Sequence, residues 1–376
     1  MIIKLIVTWL LVWLIFSTSA AQANWFPFIQ EKPSEYYQLG KALAAYNAMA
    51  KQGEWIQIPS GPILRPGVHD PRISLVRLRL TQQDLITNAG SSTFYDNDLL
   101  NIVLKFEAMH GLKQDGLIGK NVIDALNVPL AMRIKQISLN MERWHNVPDD
   151  LGERHININI PDFELQAIDH DKPVLEMRVI IGKSVKQTPI FSSIITDVIF
   201  HPYWHVPNSI AREKLATIQQ DPSYLKLHNF KVFDSGGGVI NPDAVQWNAI
   251  SKWHFPYRLR QEPGDMNALG KIRFSIQGDQ DIYMHGTPEQ KLFAKNLRAE
   301  SSGCIRVENP LELAYFVLQD MPHWPASRIE NIYNNKPITT KAVLPKPLPI
   351  HILYMTSWVD KNGQIQFRDD IYGLDK

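Results

Sequence analysis

The chain has 376 residues, enough for one large domain or two to three small ones with a real core. A net charge of +1, 20% charged residues and 44% hydrophobic residues exclude a nucleic-acid footprint and fit an ordinary globular protein. The N-terminus, MIIKLIVTWLLVWLIFSTSAAQANW, has one positive residue, Lys4, and an apolar run from Leu5 to Phe16. That run falls short of the ~20 residues a membrane span needs. Small residues follow, with cleavage expected after Ala23, so residues 1–23 are expected to be a signal peptide. The alternative is an uncleaved anchor.

Residues 30–58 have apolar residues at helical spacing, with Ser34 as the expected N-cap and Gly53 as the stop. A Pro/Gly-rich connector covers 58–73, and ISLVRLRLTQQDLI reads equally as helix or strand. Over 94–128, Leu99, Val103 and Phe106 share a helical face that ends at Gly111, and a second helix runs from Lys120 to Leu126. This unit, with HGL, then DGLIG, then LNVP, resembles the peptidoglycan-binding type 1 module. Residues 133–148 continue as an amphipathic helix with Ile134, Ile137, Leu139 and Met141 as the expected buried set.

From 154 the period changes to the alternation of antiparallel strands, through IFSSIITDVIFHPYW. A helical insertion is expected at 208–227, a hairpin in KIRFSIQGDQDIYMHG, a helix over 309–320, and a final hairpin turning at Asn362 and Gly363. The Gly triplet of DSGGGVINP lacks the flanks of a phosphate loop. His201 and His205 lie four apart, but Pro202 argues against a helical zinc pair, and no metal is expected.

The chain has one cysteine, Cys304, in AESSGCIRVENP. In an exported protein a single cysteine is an intermolecular link, a reactive thiol, or a small buried hydrophobe. A cysteine nucleophile needs a base to take its proton. His285 ends a predicted strand upstream, and Gly303 beside the thiol leaves room for backbone N–H groups to face an oxyanion. Arg306 offers a fork for a carboxylate. With twelve histidines in the chain, spacing alone leaves this pairing as one reading among several.

The segments HGT and SSGCIRV together resemble the signature of the L,D-transpeptidase (YkuD-type) catalytic domain. Ser302 stands where the common motif has His, as in the YcbB-like subgroup, which HPYWHVPNSIAREKL and YMTSWVDKNGQIQFRDDIYG also resemble. The resemblance implies an α+β multidomain chain: a mostly antiparallel β catalytic domain with a helical lid insertion, preceded by a small helical peptidoglycan-binding-like module. It divides the chain into 24–90 (a helical scaffold), 91–130 (the module), 131–152 (a linker helix), 153–340 (the catalytic domain, lid at about 201–265) and 341–376 (a hairpin extension).

It further implies Cys304 as nucleophile, His285 as base, the Gly286 carbonyl as orienter of the imidazole, and the N–H groups of Gly303 and Cys304, with Tyr283, as oxyanion donors. Arg306 would bind or support substrate, Ser301 would fix the loop, Ser302 would act through its backbone, and Trp204 would belong to the lid. Tyr283 and Trp204 read equally as packing residues, and Asn267 as a turn former. The implied substrates are peptidoglycan tetrapeptide stems as donor and acceptor, with other cell-wall synthesis proteins as further partners, no cofactor, and acylation of Cys304 by carbapenems. The implied reaction is 3→3 crosslinking through a thioester, in the periplasm. Another acceptor, a carboxypeptidase, or a catalytically degenerate scaffold are the alternatives.

Overall fold

The computed structural model describes residues 33–278 and 282–376. The signal-peptide expectation for 1–23 lies outside them. Helix α1 spans Ser34–Ala50, and Pro33 rather than Ser34 occupies its N-cap position, so the start is set by proline's fixed φ and not by a hydroxyl. The ambiguous segment is helix α2, Pro71–Thr81: Asp70 accepts from the Arg72 N–H and Pro71 sits in the first turn, two start signals that outweigh the strand-like alternation. Helices α3 (Asn97–Met109), α4 (Lys120–Leu126) and α5 (Leu130–Trp144) follow.

The buried face of α5 is Leu130, Arg133, Ile137, Asn140 and Trp144. Of the expected set only Ile137 is fully buried, because Arg133 and Asn140 point inward to polar partners that the sequence pattern does not reveal. Residues of α2, α3 and α4 share one apolar core from Ile58 to Leu126, so the boundary drawn at 90/91 cuts through a single packed unit.

Strands β1 (Arg154–Asn159), β2 (Glu164–Asp169), β3 (Lys172–Gly182) and β4 (Phe191–Phe200) open the second half. Next come β5 (Trp204–His205), α6 (Asn208–Gln220), α7 (Ser223–Leu227), β6 (Phe230–Phe233), β7 (Val239–Ile240) and β8 (Arg258–Gln261). Strands β9 (Ile272–Ile276), β10 (Tyr283–His285), β11 (Ala299–Ser301) and β12 (Ile305–Val307) precede helices α8 (Pro310–Leu318) and α9 (Ala326–Asn334). Strand β13 (Thr340–Leu353) and the hairpin of β14 (Ser357–Val359) and β15 (Ile365–Phe367) complete the chain.

One nine-stranded sheet runs β11-β3-β12-β10-β9-β4-β13-β1-β2, and β2 also pairs with β3. That last pairing closes the strands from β3 round to β2 on themselves and leaves β11 as the edge strand, paired only with β3. Pairing is mostly antiparallel, with parallel contacts at β1/β13, β10/β12 and β11/β3. Ile156, Val179, Phe274, Met284, Ile305 and Ile350 belong to its apolar core, which α8 joins through Leu313 and Val317.

Residues 341–376 are not a separate extension. Strand β13 pairs along its length with β1 and β4, and only the segment after it forms the hairpin, turning at Asn362 and Gly363. That hairpin packs on α1 and α5 through Val359, Ile365 and Phe367. The insertion is also not purely helical: β5, β6, β7 and β8 form a four-stranded sheet that packs with α6 and α7 around its own core.

Candidate active site

The pairing of β10 with β12 builds the site. Met284 lies opposite Ile305 and His285 opposite Arg306, in parallel register. Side chains alternate across a strand, so Met284, Ile305 and Val307 enter the apolar core. Tyr283, His285, Cys304 and Arg306 therefore share the other face. On the far side of β10, Arg273 of β9 lies opposite His285 and Ser275 opposite Tyr283, which adds both to that face.

His285 is buried, and its Nδ1 lies 2.5 Å from the Gly286 carbonyl oxygen. A carbonyl only accepts, so Nδ1 carries the hydrogen and Nε2 keeps its lone pair. Burial, then the positive charge of Arg306, pushes the His285 pKa down to about 3, while the Gly286 and Leu269 backbone groups oppose the shift. The imidazole is thus neutral at physiological pH and equipped to accept a proton. Gly286 has little room for a side chain: a Cβ there would stand 3.1 Å from Pro310 Cγ.

Burial pushes the Cys304 thiol up, opposed by the Tyr283 N–H and hydroxyl and by the charges of Arg273 and Arg306. The Tyr283 phenol is itself held well above its ordinary value by burial and by the Cys304 sulfur, so it stays a neutral donor. Trp204, buried in the insertion core, reaches the same phenol, and Tyr283 packs against that core. The insertion thereby meets the site at Tyr283.

Ser301 ties the turn before the thiol: its hydroxyl donates to the Cys304 carbonyl at 2.6 Å and accepts from the Gly303 N–H at 3.1 Å. This corrects the expected role of Gly303 as an oxyanion donor, since its N–H is committed to Ser301. Gly303 instead supplies a backbone φ of +119°, which disfavours any side chain there. Ser302 is exposed. Arg306 pairs with Glu289, so its guanidinium already has a carboxylate. Asn267 is buried and holds a turn, donating to the Pro202 and Glu262 carbonyls at 3.0 Å and accepting from the Leu269 N–H at 2.9 Å; that turn brings Leu269 beside His285. His201 Nε2 meets the Ile332 carbonyl, apart from the exposed His205.

The residue that sequence reasoning missed is Arg273. Its guanidinium lies 4.4 Å from the Tyr283 ring centre, its Nε is buried without a hydrogen-bond partner, and among the described residues it forms no ion pair. Arg273 was findable: in IRFSI it alternates with core residues, and the hairpin places it across from His285.

Residues 153–338 match the sequence profile of the L,D-transpeptidase (YkuD) catalytic domain. This segment is an L,D-transpeptidase catalytic domain. A Haemophilus influenzae protein named "Putative L,D-transpeptidase" is 35% identical over 243 residues, 64% of this chain and 48% of its own length. The match thus spans about half of that curated relative. Solved structures similar to the chain include an Enterococcus faecium L,D-transpeptidase mutant (11% identity, 54% of this chain and 50% of that one, TM-score 0.26). Mycobacterium tuberculosis L,D-transpeptidase 1 is another (11% identity, 54% and 61%, TM-score 0.22). The assignment of the catalytic domain rests on its sequence.

Proposed function

We propose that the protein is a peptidoglycan L,D-transpeptidase that uses Cys304 as nucleophile and His285 as base. The observation that supports this best is the buried His285 imidazole with Nδ1 2.5 Å from the Gly286 carbonyl oxygen, on the sheet face where Tyr283 meets the Cys304 thiol. In this reading His285 Nε2 takes the Cys304 proton as the sulfur attacks the carbonyl between the residue at stem position 3 and the terminal D-Ala. The C–N bond breaks, His285 returns the proton to the leaving D-Ala amine, and a thioester remains. An amine from a neighbouring stem then attacks the thioester, loses its proton to the imidazole, and releases the thiol with a 3→3 crosslink formed.

The Tyr283 hydroxyl and the Cys304 N–H are the proposed oxyanion donors. Arg273, which forms no ion pair among the described residues, is the proposed anchor for a stem carboxylate, in preference to the paired Arg306. The insertion, whose core Tyr283 joins, is the proposed lid that limits competing water. Helices α3 and α4 carry the proposed peptidoglycan-binding role, and the apolar run of residues 5–16 supports export to the periplasm.

The test is incubation of the protein with disaccharide-tetrapeptide and mass analysis of the products. A dimer lacking one D-Ala, formed by the wild type and not by Cys304→Ala, is expected. Tripeptide without dimer would contradict crosslinking, and no change in substrate would contradict the reading.

A further inference from the structure

With the Gly303 N–H committed to Ser301, the main-chain donor the oxyanion needs is the N–H of Cys304 itself. A trans peptide is planar, with its C=O and N–H pointing in opposite directions. Whatever fixes the Gly303 carbonyl therefore aims the Cys304 N–H. Glycine at 303 leaves this peptide little intrinsic preference, so the hold has to come from outside the turn.

It comes from Thr188. This buried residue donates its hydroxyl to the Gly303 carbonyl at 2.7 Å and accepts from the Gly182 N–H at 2.8 Å. With the Gly182 N–H on its lone pair, the hydroxyl proton is directed to Gly303. The Thr188 backbone is braced in turn by the C-terminal segment: its N–H donates to the Tyr372 hydroxyl at 3.1 Å, and that hydroxyl donates to the Gly182 carbonyl at 2.7 Å. The Tyr372 N–H donates to the Tyr354 hydroxyl at 2.8 Å, which donates to Asp370 at 2.6 Å. The loop can fold back this closely because residue 182 is glycine; a Cβ there would stand 2.1 Å from the Lys186 carbonyl oxygen and 2.7 Å from the Thr188 nitrogen.

We infer that Thr188, braced by Tyr372, is a positioning residue that holds the Gly303–Cys304 peptide so that the Cys304 N–H meets the developing oxyanion. The inference rests on the transpeptidase reading of the site. Two reactions of the same thiol separate it from a general structural role. Release of D-Ala from disaccharide-tetrapeptide passes through an oxyanion, whereas alkylation by iodoacetamide is a displacement at carbon that forms none.

Thr188→Val should slow D-Ala release about tenfold or more, approaching the 10²–10³ seen when an oxyanion donor is removed outright, and leave alkylation within about twofold of wild type. Thr188→Ser should restore D-Ala release. Tyr372→Phe should show the same selective loss to a smaller degree, and it carries the comparison if Thr188→Val does not fold. Undiminished D-Ala release in Thr188→Val, or an equal loss of both reactions, would overturn the inference alone. A wild-type protein that is alkylated but releases no D-Ala would overturn the transpeptidase reading, and the inference with it.

Discussion

Tyr283, at the start of β10, and Cys304, the residue just before β12, stand side by side: both the N–H and the hydroxyl of Tyr283 reach the sulfur. Tyr283→Phe removes the hydroxyl donor while keeping the ring that packs on the insertion core. It should raise the thiol pKa and slow acylation by roughly tenfold, the worth of one hydrogen bond to a charged group. Stopped-flow acylation beside a thermal melt checks this; a normal acylation rate would remove Tyr283 from the oxyanion site.

The resting pair is a thiol with a neutral imidazole, because burial depresses His285 to about 3 and raises Cys304. The His285 base should therefore be available from about pH 4 upward, and acylation should be flat between pH 5 and 8. Alkylation by iodoacetamide depends on the thiolate fraction and should climb about tenfold per pH unit over the same range without levelling. An alkylation plateau below pH 7 would indicate a preformed thiolate–imidazolium pair and contradict this account.

Arg273 has a buried Nε without a hydrogen-bond partner and, among the described residues, no ion pair, while Arg306 is occupied by Glu289. Arg273→Ala should raise the KM for a donor with a free terminal carboxylate about tenfold, and should change it far less for the amidated donor. Equal effects on the two donors would assign the loss to packing on Tyr283 rather than to carboxylate binding.

Glu164 is raised to about 7 by burial and by the neighbouring Asp162, with Glu176 adding and Arg368 and Arg298 opposing. Its folded pKa exceeds the unfolded value, so the folded state binds the extra proton and stability falls as pH rises from about 4.5 through 7. Glu164→Gln should be near neutral at pH 4.5 and stabilising by on the order of 1 kcal/mol at pH 8. Urea unfolding at both pH values measures the difference; a gain confined to the lower pH would reverse the sign argued here.

The strand region was legible because alternation in IRFSI and YMH follows directly from one buried face, and the Asn362–Gly363 turn carries its own signal. Cys304 and His285 were singled out by the resemblance of HGT and SSGCIRV to a family signature, since spacing alone left the pairing open. Helix α2 was not, since Arg77 and Arg79 are buried against Asp96 and the Leu126 carbonyl, contacts far off in sequence that break the apolar pattern. Nor was β13, whose place between β1 and β4 depends on long-range pairing. The engagement of the Gly303 N–H by Ser301 and the buried, unpartnered Nε of Arg273 depend on side-chain geometry, which a motif does not encode.

The most direct test of the central claim is the intact mass of the protein quenched in acid soon after mixing with disaccharide-tetrapeptide. The account predicts an adduct equal to the disaccharide-tripeptide acyl group, mapped to the peptide holding Cys304, released by hydroxylamine, and absent from Cys304→Ala. Turnover of the tetrapeptide by Cys304→Ala at the wild-type rate, with no adduct on either protein, would contradict it.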